Sequence, residues 1–131
     1  MLNNNFFGIF LQEKRLQKGI TIRELASKVH LSHSYLSYIE KGVKLPPSNK
    51  ILIRIADALG LDLESRKLLF DIATQTKEIN NSDYHIPADI SKYIYETEAA
   101  KDFLREADEL GYSNEFWNEL LSMLKSGNMS Q

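Results

Sequence analysis

The sequence predicts an all-α protein, a front of five helices followed by a smaller helical extension. Three observations lead there. Apolar residues fall at three- and four-residue spacing through most of the 131 positions. Glycines and Ser, Thr or Asp caps separate these runs at short-helix intervals. Only His30 and Leu31 lie between two of the runs, which forces those helices to cross steeply. With 43% hydrophobic and 26% charged residues, the chain is long enough for one domain with a real core and a small appendage.

Phe6 to Lys18 reads as the first helix, with Phe7, Phe10, Leu11 and Leu16 on its apolar face, and Gly19 suits the left-handed residue that ends it. Thr21 followed by Glu24 has the form of a capping box, so a second helix starts at Ile22 and turns Ile22, Leu25, Ala26 and Val29 inward. Ser32 caps a third, anchored by Leu36 and Ile39, with His33, Ser34, Ser37 and Tyr38 on its outer side. After Gly42 the prolines at 46 and 47 impose an extended connection. Ser48 then caps a fourth helix, Asn49 to Leu59, with Ile51, Leu52, Ile55, Ala56 and Leu59 inward and Gly60 as its stop. Asp62 caps a fifth, Leu63 to about Thr74, carrying Leu68, Leu69 and Ile72.

Residues 77–87 have no apolar periodicity and are the expected linker between a front domain, 1–76, and a helical region, 88–131. In that region Pro87 suits a first turn, with Ile86, Ile90, Tyr93 and Ile94 forming a stripe. Thr97 caps a helix that turns Ala100, Phe103, Leu104, Ala107 and Leu110 inward, and Ser113 caps a last one with Phe116, Trp117, Leu120, Leu121 and Leu124. Three helices of this size bury too little surface to stand alone, and need the front domain or a partner. The expected dimer or partner contacts are Tyr93, Phe103, Phe116, Trp117 and Leu121.

In order and spacing, Phe7 to Leu61 resembles the phage repressor or Cro-type helix-turn-helix domain. The matching features are Phe7-Gly8, Leu11 and Arg15; Gly19-Ile20-Thr21; Leu25-Ala26; Leu31-Ser32; Ile39-Glu40-Lys41-Gly42; Pro47-Ser48; and Ile55 to Gly60. The resemblance implies a five-helix lambda-repressor-like domain whose third helix enters the major groove of double-stranded DNA. It places His33, Ser34, Ser37 and Tyr38 toward base edges, and Arg23, Lys28, Ser32, Lys41 and Lys44 toward phosphates. Arg15 and Glu40 stand where the family has a structural ion pair. Ile22 departs from the family, which usually has Gln there to bond a phosphate and brace the recognition helix.

Charge agrees with that division of labour. Residues 1–76 hold 11 Lys/Arg against 7 Asp/Glu, a balance of +4, while residues 77–131 hold 5 against 11, a balance of −6. A basic front and an acidic back suit a protein that meets phosphates at one end. The expected function is a sequence-specific transcriptional regulator, a dimeric repressor. The alternative is an antitoxin or adaptor that holds a second protein with its acidic, aromatic C-terminal helices.

Other chemistry finds no footing. His30 and His33 have no third ligand nearby, so no metal site is expected, and zero cysteines exclude disulfides and cysteine-rich zinc sites. No nucleophile with a base, phosphate-binding glycine loop or cofactor signature is present, so neither an enzyme nor a cofactor is expected. With no apolar run near the roughly 20 residues that span a bilayer, and no convincing signal peptide, the expected location is the cytoplasm, off the membrane.

Overall fold

The computed structural model describes residues 5–80 and 85–127. Among them are eight α-helices and no strand: α1 Phe6–Lys18, α2 Ile22–Val29, α3 His33–Glu40, α4 Asn49–Leu59, α5 Leu63–Asn80, α6 Ala88–Glu96, α7 Glu98–Leu110 and α8 Asn114–Lys125. The chain divides into two compact units, Met1–Tyr93 and Ile94–Gln131.

In the first unit the helix boundaries follow local chemistry. Gly19, at φ 77°, ends α1 in the left-handed conformation. The Thr21 hydroxyl accepts from the Glu24 amide at 3.1 Å while the Glu24 carboxylate accepts from the Thr21 amide at 3.3 Å, closing the capping box of α2. His30 takes the left-handed position at the end of α2, with φ 60°, a strained place for a side chain other than glycine. Ser32 accepts from the Tyr35 amide at 3.2 Å to start α3, and Asp62 from the Ser65 amide at 2.8 Å to start α5. Ser48 precedes α4 without a side-chain cap bond.

One core joins these helices. Phe7 and Leu11 of α1 meet Leu25, Ala26 and Val29 of α2, Leu36 and Ile39 of α3, Leu52, Ile55, Ala56 and Leu59 of α4, and Leu69, Phe70 and Ala73 of α5. α1 packs on α3 and α5, and α2 on α3 and α4. Burying each large apolar side chain is worth about 1.5 to 3 kcal/mol before entropy, so this core holds the short helices that would be unstable alone.

Three expectations are corrected. Leu16 is 60% exposed and contributes nothing to the core, because it falls outside the stripe set by Phe7 and Leu11. The buried stripe of α5 is Leu69, Phe70, Ala73 and Thr76, leaving Leu68 largely exposed, and the helix runs to Asn80 rather than Thr74. Polar Thr76 continues it because its hydroxyl donates to the Ile72 carbonyl at 2.8 Å, which removes the cost of burial. Residues 77–80 of the expected linker therefore belong to α5, and 81–84 lie outside the described residues. Finally, Pro87 stands just before α6, whose buried residue is Ala88, while Ile86, Ile90 and Tyr93 of the expected stripe are exposed.

The second unit is built differently. α7 ends at Gly111, in the left-handed conformation at φ 69°, and neither Thr97 nor Ser113 makes a side-chain cap bond. Phe103 meets Trp117 edge to face at 5.6 Å, and Tyr112 stacks on Phe116 at 4.0 Å. The inward stripe expected for α7 is also corrected: Ala107 is buried, but Phe103, Leu104 and Leu110 are exposed, because so small a helical unit has too little facing surface to cover them. In α8, Phe116, Trp117 and Leu120 are half-buried while Leu121, Met123 and Leu124 are exposed.

Candidate nucleic-acid interface

The third helix is held from three sides. Leu36 and Ile39 bury its inner face. At its end the Glu40 carboxylate receives two hydrogen bonds from Arg15, from Nε to Oε2 at 2.7 Å and from Nη2 to Oε1 at 3.0 Å. The remaining Arg15 nitrogen, Nη1, donates to the Ile20 carbonyl at 3.0 Å, tying the same side chain to the entrance of α2. The hydrogen bonds to Glu40 hold the Arg15 guanidinium above its ordinary pKa against the opposing pull of burial. The third hold is close backbone approach. A methyl group on Gly8 would lie 2.6 Å from the Ile39 carbonyl oxygen and closer still to that of Glu40. Asn5 Nδ2 donates to the Glu40 carbonyl at 3.0 Å, occupying an acceptor at the helix terminus.

With its inner face fixed, α3 offers the outer one. His33, Ser34 and Tyr38 are exposed, and Ser37 is half-buried. Tyr35, which the sequence reading did not single out, is 38% exposed near the start of the same helix. Arg23, Lys28, Lys41 and Lys44 are all exposed around it. The Ser32 oxygen is already engaged as the cap of α3, leaving its hydroxyl proton as the group that remains to be donated.

Part of this set converges. Ile22, Arg23, His33 and Ser37 line one open cleft of about 740 Å³ with Arg15, Leu16 and Ile20. Ile22 there places an apolar side chain, packed partly on the core, beside two of the candidate base readers. Ser34, Tyr38, Lys28, Lys41 and Lys44 do not line that cleft. A further support that sequence reasoning missed is Arg54 of α4, whose Nη1 donates to the Val29 carbonyl at 3.2 Å and so satisfies the end of α2. Its only signal in the sequence is a basic residue between the inward-facing Leu52 and Ile55 of α4. Among the described residues no group of His, Cys, Asp or Glu is placed to hold a metal ion.

Residues 11–65 match the helix-turn-helix family model, the interval that contains α2, the turn at His30 and α3. The chain is similar to the ImmF control region 10 kDa protein of Bacillus phage phi105, with 40% identity over 68 residues, 52% of this chain and 74% of that protein. The chain belongs to the Cro-type helix-turn-helix family. This helix-turn-helix protein is also similar to the HTH-type transcriptional regulator SlrR of Bacillus subtilis (strain 168), with 37% identity over 71 residues, 54% of this chain but 45% of SlrR. No solved structure gives a significant match. Membership makes the chain a DNA-binding regulator. No described helix is long and apolar enough to cross a membrane.

Proposed function

We propose that the chain is a dimeric repressor that reads the major groove with α3. The observation that supports the reading is the firmly held α3 with its outer face open; in this proposal His33, Ser34, Ser37 and Tyr38 meet bases and Arg23, Lys28, Ser32, Lys41 and Lys44 meet phosphates. The serines donate to or accept from any base and Tyr38 lies against a thymine methyl, so base readout is supplemented by DNA shape. A phage control-region relative supports repression of a promoter as the biological role.

Dimerisation suits the second unit and residues 88–131 generally. Phe103, Leu104, Leu110, Leu121, Met123 and Leu124 leave an apolar surface open, and Tyr93 adds another exposed ring. Phe116 and Trp117 support that surface from within through their ring contacts. A two-fold protein matches a pseudo-palindromic operator. The same surface is the observation favouring the second reading, an antitoxin or adaptor that grips another protein.

A gel shift on the DNA upstream of its own gene tests the first reading. It predicts a sequence-preferring complex whose affinity falls with salt, the log–log slope being about −7 for the four cationic phosphate contacts of each of two protomers. Absence of any preferred, salt-sensitive complex ends the repressor reading. Light scattering tests the dimer: a particle of twice the 15.1 kDa chain mass is expected, and a monomer at working concentrations rejects it.

A further inference from the structure

Away from α3, the first unit contains a second concave site, lined by none of the candidate DNA-contact residues. The N-terminus of α4, the later part of α5 and the segment leading into α6 enclose a cleft of about 570 Å³. Lys50 and Lys77 line it from different helices, Ser48 and Ser91 bring hydroxyls, His85 an imidazole, and Thr74 a hydroxyl whose proton is already donated to the Phe70 carbonyl at 3.0 Å. Among the described residues lining it there is no carboxylate.

Two of these groups are in places that cost free energy as they stand. Lys77 is half-buried, and burial alone pushes its ammonium below the ordinary lysine pKa, with no opposing pull from a nearby carboxylate. His85 has its Nε2 buried with no hydrogen-bond partner. The amides of the first turn of α4 add the positive end of an eleven-residue helix to the same wall.

We propose that this cleft binds a small phosphorylated ligand, with Lys77 and Lys50 holding its phosphate and Ser48 and Ser91 donating to the phosphate oxygens. A dianionic group is favoured over a single carboxylate because two cations from separate helices line the cleft together with the hydroxyls of Ser48 and Ser91. The cleft exceeds the size of a bare phosphate, and Ile86 offers an apolar wall for the organic remainder. A duplex is too broad to enter it, and contact at the rim alone leaves Lys77 unpaired. An occupant would bridge α4, α5 and the entry to α6, coupling ligand level to the segment that leads out of the DNA-binding helices.

The test is titration of the full chain with pyrophosphate, followed by amide chemical shifts at constant ionic strength. Saturable shifts centred on Ser48 to Lys50, Thr74, Lys77 and His85 are expected. Lys77→Met should weaken binding at least about tenfold, and Lys77→Arg should keep it, as loss and retention of a charge-assisted contact require. Lys50→Ala, at an exposed position where folding is not at stake, should weaken it by about threefold. Equal binding by wild type, Lys77→Met and Lys50→Ala overturns the proposal, as does the absence of saturable shifts at millimolar pyrophosphate. Shifts centred on Arg23, Lys28 and α3 overturn it too.

A DNA arm separates the source of the phosphate. Lys77→Met should bind DNA as tightly as wild type does. A parallel loss of DNA affinity, with the salt slope reduced by about two, one for each protomer, would assign the contact to the duplex backbone and overturn the small-ligand proposal while leaving the DNA-binding reading intact.

Discussion

The two units of the chain carry equally regular amphipathic helices, yet they use them in opposite ways. In the first, the apolar stripes of α1 to α5 converge, and residues from all five helices are lost to solvent together. In the second, α7 and α8 have well-formed stripes, but Ala107 is the buried member while Phe103, Leu121 and Leu124 stay exposed. Amphipathic spacing therefore specifies a helix and a side to bury, whereas burial needs facing stripes in sufficient number. The first unit supplies its own partners. The second holds a few rings together and leaves the rest of its apolar surface for something else.

The largest expected effect is on deletions matched across the two units. Phe70→Ala should cost about 4 kcal/mol, since Phe70 is almost wholly buried and its cavity is walled by rigid helices. Leu121→Ala should cost less than about 0.5 kcal/mol at concentrations where the chain is monomeric. Urea unfolding checks both. A Leu121 loss comparable to that at Phe70 would break the contrast, and a loss appearing only at high protein concentration would sharpen it into evidence of self-association.

Ion pairs divide in the same way. Arg15 and Glu40 are both buried, and removing either strands the other, so Arg15→Met should cost about 3 kcal/mol while Arg15→Met with Glu40→Leu should cost less. Lys101 and Glu98 form an exposed pair at 3.3 Å on α7, where Lys101→Met should cost under about 0.5 kcal/mol. Equal melting temperatures for the single and double variants at Arg15 and Glu40 would remove the pair from the account of how α3 is held.

Glycines provide a third matched comparison. Gly8→Ala forces α1 away from the α3 carbonyls and should cost about 2 kcal/mol; on the proposal that α3 reads bases, DNA binding should weaken with it. Gly111→Ala meets nothing within 4 Å and carries only the left-handed backbone penalty, about 1 kcal/mol. Differential scanning calorimetry together with gel shifts distinguishes a packing defect, which moves both readouts, from a local backbone cost, which moves only the first.

The legibility of the chain follows from the same contrast. The boundaries of α1 to α4 were readable because Gly19, Thr21, Ser32 and Gly60 punctuate the chain with their own chemistry. α5 was misread at its end because nothing local distinguishes a polar linker from a helix whose Thr76 is buried with its hydroxyl bonded to its own backbone. Its stripe was displaced toward Leu68 because three adjacent apolar residues, Leu68, Leu69 and Phe70, leave the inward face undetermined until α1 is in place. At the candidate site, the outward residues of α3 were legible from helical spacing. The supports were not: Asn5, Gly8 and Arg54 act through backbone carbonyls on other helices, and no pattern within their own segments announces those contacts.

The smallest effect concerns helix starts, and it tests whether the second unit is under-determined even locally. Thr21 has both bonds of a capping box, and Thr21→Ala removes the acceptor of the Glu24 amide, leaving that amide at the head of α2 dependent on water, which should cost about 1 kcal/mol. Ser113 has the extended backbone of a cap but no side-chain bond, so Ser113→Ala should cost no more than a few tenths, about 0.3 kcal/mol. The cause is mechanical. α2 is clamped between α3 and α4, which fixes the geometry in which its cap is formed, whereas α8 has mostly exposed residues and little to hold its first turn in one orientation. If the apolar surface of α7 and α8 is covered on self-association, that constraint appears with the partner. The Ser113→Ala cost should then rise toward the Thr21 value in the dimer, as read by melting at low and high protein concentration. A cost at Ser113 that equals the Thr21 value even in the monomer would mean the second unit is as fully determined as the first, and the contrast between them would lie in exposure alone.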